Sequence, residues 1–155
     1  MLDLAQALDE TTGRLLETMF FTSVLEQGSF TSVLEQGGPL PSGPRYTATL
    51  GFSGSREGSL MVSASHETAA ALAASFLGDA GDVAEAASIV RELANILSGG
   101  LLGAVDRAGQ FVIAPPEISD SDQALAQLDS MPLRRLYILE EGPLAVGFSI
   151  AGEAP

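Results

Sequence analysis

No cysteine occurs among the 155 residues. That excludes disulfides, thiolate zinc sites and cysteine nucleophiles, and it fits a reducing compartment. Basic residues are also scarce, seven against twenty acids, leaving a net charge of −13. A nucleic-acid backbone or an anionic membrane surface would be repelled by such a chain. Histidine appears once, at His66, too sparsely for an imidazole metal cluster. No uninterrupted apolar run approaches the roughly 18 residues of a membrane span, and the opening MLDLAQALDE carries acids where a signal peptide needs positive charge. These absences lead us to expect a cytoplasmic protein with neither nucleic acid nor membrane as partner.

What is present is enough for a core. Hydrophobic residues make up 46% of the chain and charged ones only 17%, a globular balance, and the length suits a single domain spanning 1–155. The first apolar pattern, Leu4, Ala5, Leu8, Leu15, Leu16, Met19 and Phe20, has the three-and-four spacing of an amphipathic helix. FTSVLEQG follows at Phe21–Gly28 and again at Phe30–Gly37. Two such short copies make no solenoid, so residues 21–44, ending in a Gly- and Pro-rich stretch, read as a duplicated connector.

Tyr46, Ala48, Leu50 and Phe52 alternate, as do the residues from Ser59 to Ala64, with a turn at GSREG between them, which predicts a hairpin. Ser65 is placed to cap a helix over about 66–77, with Glu67 in its first turn. A long helix follows over about 84–105, Ile89, Leu93, Ile96 and Leu97 supplying its core face, and Gly99 with Gly100 marks a possible kink or end. A short strand over 110–114 halts at Pro115 and Pro116, a short helix fits 121–128, and a final hairpin joins 133–139 to 144–151 across EEGP. This order predicts an α+β fold: two layers, a mainly antiparallel sheet with helices packed on one face.

On the long helix, Ser88, Glu92, Asn95 and Gly99 follow at steps of four, three and four, which places them in one stripe beside the apolar face. A carboxylate accepts hydrogen bonds from an ammonium, and a carboxamide holds a water through both its donor and its acceptor. Spacing alone is better described by an ordinary solvated helix face. His66 beside its helix cap reads as structural or exposed, and Glu140 with Glu141 as a solvated hairpin end.

The string SIVRELANILSGGLLGAV, followed by QFVIAPPE, resembles the CheX-like members of the CheC, CheX and FliY phosphatase family, whose motif is Asp or Ser, three residues, Glu, two residues, Asn, and a later proline. Ser88, Glu92 and Asn95 match it, with Pro115 and Pro116 as the proline candidates. The early RLLETMFF and both hairpins are similar to the family's order. The resemblance implies a phosphatase that acts on the aspartyl phosphate of a CheY-type response-regulator receiver. Glu92 would pair with the receiver's lysine and Asn95 would orient the attacking water. It implies no cofactor bound by this chain, Mg²⁺ being held by the phosphorylated receiver, and it implies homodimers. The alternative is a non-catalytic receiver-binding or dimerisation module of the same fold.

Overall fold

The computed structural model describes residues 3–19, 24–28, 45–77, 83–105, 109–120 and 122–151. Among them run helix α1 (Leu4–Met19), strands β1 (Val24–Gly28), β2 (Arg45–Gly54) and β3 (Gly58–Ser65), helices α2 (His66–Leu77) and α3 (Val83–Val105), strands β4 (Phe111–Ile113) and β5 (Glu117–Ser119), helix α4 (Asp122–Asp129), and strands β6 (Leu133–Leu139) and β7 (Gly142–Ile150). All seven strands join one antiparallel sheet in the order β1-β6-β7-β3-β2-β4, with β5 also paired to β2.

Strand alternation sorts side chains to two faces. Tyr46, Ala48, Leu50 and Phe52 of β2, Leu60, Val62 and Ala64 of β3, Tyr137 and Leu139 of β6, and Leu144, Val146 and Phe148 of β7 pack with Leu8 and Leu16 of α1, Leu72 of α2 and Leu93, Leu97 and Leu101 of α3. The other face buries a smaller cluster, Met61, Ala124, Leu128, Met131, Leu136 and Ala145, beneath α4. Gly147 makes this possible: a Cβ there would lie 2.6 Å from Met131 Sδ and 3.2 Å from Leu128 Cγ. The α+β fold with its antiparallel sheet is therefore as expected. Its helices do not all share a face, because the three long ones lie on one side and the short α4 on the other.

Local signals account for most boundaries. The backbone N–H of Thr68 donates to Ser65 Oγ at 3.1 Å, the N-cap bond expected at the start of α2. His66 stacks on Tyr46 with ring centroids 4.1 Å apart, a packing role. The turn between β6 and β7 is tied to α2 by Ser75 Oγ donating to Glu141 Oε2 at 3.0 Å, so Glu141 is a fastened hairpin end. Residue 121 of the expected short helix and residues 21–23 and 29–44 of the expected connector fall outside the described residues. The first FTSVLEQG copy is not all connector, however: Val24–Gly28 is an edge strand paired with β6, an example of tertiary pairing deciding a segment that local pattern leaves open.

Candidate functional site on helix α3

Helix α3 is well specified by its residues. Glu85 occupies the first turn, where it suits the helix dipole, and the middle is rich in Ala, Leu, Arg and Glu, strong helix formers. One side is driven into the core: Ala86, Ile89, Val90, Leu93, Ala94, Leu97 and Leu101 are all buried. Ile96, expected in the core face, is only half-buried, because the burial centre runs through Val90, Leu93 and Leu97. By length and composition Glu85–Val105 is apolar enough to cross a membrane, although here its apolar residues face the sheet and α1.

Neither glycine ends the helix, which continues to Val105. Gly100 has a packing reason, since a Cβ there would lie 2.9 Å from Thr11 Cγ2 and 3.4 Å from Leu15 Cδ1 of α1. The adjacent Gly99 has none: its Cβ would meet nothing within 4 Å.

Ser88, Glu92, Asn95 and Gly99 are all exposed, as is Arg91 between them. Helical geometry brings Ser88, Glu92 and Asn95 onto one outward stripe, with Arg91 three residues after Ser88 and four before Asn95 on its flank. None of these side chains has a hydrogen bond or ion pair within the described residues. A carboxylate, a carboxamide and a guanidinium thus stand ready for an external partner on a helix anchored by its opposite side. Arg91 was not singled out from the sequence, although its spacing to Ser88 and Asn95 was readable there.

Pro115 and Pro116 lie elsewhere, on the connection between β4 and β5. Both strands pair with β2, and Ala114 N donates to Gly51 O at 2.9 Å just before the prolines. Lacking N–H groups, the prolines interrupt what would otherwise be one continuous edge strand. This edge packs beside α3, so the prolines border the helix without belonging to its stripe.

The stripe is a projecting helix surface. A cavity of about 250 Å³ lies instead on the sheet's other face, lined by Thr49, Glu117, Gln123 and Gln127 among others. A projecting scaffold of this kind suits a substrate that is itself a macromolecule with its own cleft. Family comparison decides which macromolecular chemistry is involved: the profile of the family described as chemotaxis phosphatase CheX matches residues 46–133, more than half of the chain and all of α3. The chain belongs to the CheX family. No curated protein matches it in sequence.

Solved structures carry the same fold at low identity. A CheX chemotaxis protein from Desulfovibrio desulfuricans is 19% identical with a TM-score of 0.68, covering 96% of this chain and 99% of its own. The CheX of a CheX–CheY–beryllofluoride–magnesium complex from Borrelia burgdorferi is 21% identical with a TM-score of 0.72, covering 97% and 99%. A CheC-like superfamily protein from Shewanella is 16% identical with a TM-score of 0.67, covering 98% and 99%. As a CheX-family chain this is a chemotaxis phosphatase.

Proposed function

We propose that this CheX-family chain hydrolyses the aspartyl phosphate of a CheY-type receiver through the α3 stripe. The observation that carries the reading is the pair Glu92 and Asn95, exposed, three residues apart and without a partner among the described residues. Glu92 accepts hydrogen bonds from the receiver's active-site lysine and fixes the two proteins in register. Asn95 enters the receiver's cleft and holds a water in line with phosphorus through its carbonyl and its N–H₂. Attack by that water forms a new P–O bond and breaks the bond to the aspartyl oxygen, releasing inorganic phosphate and the free carboxylate. Aligning a water beside a phosphoryl group is catalysis by positioning. The receiver supplies the phosphoaspartate and Mg²⁺, and the phosphatase adds no cofactor.

The solved CheX–CheY complex from Borrelia burgdorferi supports the choice of partner. Ser88 belongs to the stripe as a contact position, and Pro115 and Pro116 border it. The chain acts in the cytoplasm as a homodimer, a state that light scattering coupled to chromatography measures.

Phosphorylated receivers from the same organism provide the test. Wild-type protein should accelerate phosphate release from one of them, and Asn95→Ala should abolish that acceleration, a loss of at least about 100-fold by analogy with removal of other transition-state positioning groups, with unfolding unchanged. Equal rates for the two proteins would overturn the mechanism. Binding without acceleration by the wild type would assign the chain to the non-catalytic, receiver-binding alternative.

A further inference from the structure

All seven basic residues of this chain are arginines. Several are already engaged inside the molecule. Arg135 donates to Asp9, Arg134 pairs with Asp129, and Arg45 is buried with its Nε donating to Ser63 Oγ at 2.8 Å. Arg91 is different. It is the single basic residue of α3, it is exposed, and it has no ion pair within the described residues. It stands one helical turn before Asn95, while Glu92 stands on the other flank.

That placement matters because of the overall charge. A chain carrying −13 repels an anionic partner, and phosphorylation of a receiver exchanges an aspartate carboxylate for a phosphoryl group of about −1.5 to −2, a net gain of up to about one negative charge. Salt screens charges farther than about 8 Å, so only groups near the contact can answer that increment. Glu85 and Glu92 are the acids on the exposed side of α3. The cation nearest Asn95 on this helix is Arg91, and a guanidinium presents a planar fork of N–H donors matched to phosphoryl oxygens.

Resting on the phosphatase reading above, we propose that Arg91 is the residue that makes docking selective for the phosphorylated receiver, its guanidinium meeting the phosphoryl group's negative charge beside the site where Asn95 holds water. A contact made equally before and during attack lowers KM and leaves kcat alone. Arg91 is on this account a recognition residue, distinct from Asn95.

The test uses the receiver identified by Asn95-dependent turnover, kept in Mg²⁺ throughout, with and without beryllofluoride. Arg91→Ala should raise KM, and Kd for the beryllofluoride form, about tenfold, the range of a charge-assisted hydrogen bond. Its kcat at saturation and its Kd for the unloaded receiver should stay within about twofold. Binding of the loaded form should also become less sensitive to salt. Arg91→Lys should recover part of the loss. Arg134→Ala is the charge-matched control, because Arg134 is exposed and lies two residues before Leu136, on the α4 face of the sheet.

An Arg91→Ala protein indistinguishable from Arg134→Ala overturns the proposal. So does equal weakening toward loaded and unloaded receiver, which would place Arg91 on a carboxylate of the receiver body. Absence of any Asn95-dependent turnover in the wild type would instead overturn the phosphatase reading on which this rests, so the two failures are separable.

Discussion

Two groups of polar side chains on the helical layer differ in how they are satisfied. Between α1 and β6, Asp9 accepts from Arg135 through both carboxylate oxygens and from Tyr137 Oη at 2.8 Å. That cluster is closed, its carboxylate bound by its own chain and largely covered. On α3, Glu92 and Asn95 are exposed and bind nothing among the described residues. The difference separates two uses of the same chemistry: the polar groups at Asp9 hold the fold and are partnered within it, while those of the α3 stripe, which we propose meet the receiver, are left open on a rigid support.

The comparison is broken most easily by removing one carboxylate from each group. Asp9→Ala leaves Arg135 without its counter-charge. Loss of one member of a fully buried pair costs about 3–5 kcal/mol. Here the side chains of Arg135 and Asp9 keep 18% and 13% exposure, so we expect about 2 kcal/mol, read as a lower denaturation midpoint at unchanged slope. Glu92→Ala should move stability by no more than about 0.5 kcal/mol while weakening receiver binding. Equal stability losses would mean that the α3 stripe is also structural.

A smaller effect follows from pH. Burial, and next the nearby Asp9 carboxylate, push the Tyr137 phenol well above its ordinary value. The unfolded chain therefore loses this proton near pH 10, the usual tyrosine range, while the folded protein retains it. Below pH 10 the stabilisation is fully present. Above it the unfolded state binds fewer protons than the native one, and stability falls by up to about 1.4 kcal/mol per pH unit from this group. Tyr137→Phe should flatten that alkaline slope, measured by urea unfolding between pH 9 and about 11.5. An unchanged slope would show that the phenol is not held by this closed cluster.

Much of this architecture is readable from local pattern. The Ser65 cap, the hairpin alternation through Tyr46, Leu50 and Phe52, and the α3 apolar face each express a short-range rule, and each is found where its spacing places it except that Ile96 lies at the margin of the α3 face rather than in the core. The α3 stripe was legible for the same reason, since helical spacing alone puts Ser88, Glu92 and Asn95 together. What escaped depends on distant partners. Asp9 and Arg135 are 126 positions apart, and no periodicity announces their meeting. Val24–Gly28 becomes a strand because β6 offers it an edge. Helix α4 reaches the far face because Gly147 makes room for Met131 and Leu128, a reason that lies outside the helix itself.

The finest form of the comparison is between two neighbours of identical chemistry. A glycine in a helix interior is less favourable than alanine by about 0.5–1 kcal/mol, owing to its backbone entropy. At position 99 an added methyl meets open space, so Gly99→Ala should stabilise the protein by about that amount. At position 100 the same methyl would lie 2.9 Å from Thr11 Cγ2. The helix gain is then outweighed by overpacking of about 1–3 kcal/mol, and Gly100→Ala should destabilise by about 1 kcal/mol. Guanidinium unfolding of the two variants should therefore give shifts of opposite sign. Shifts of the same sign would show that α1 yields at Gly100 or that something covers Gly99, and the division of α3 into a packed face and an open one would fail where it is drawn most sharply.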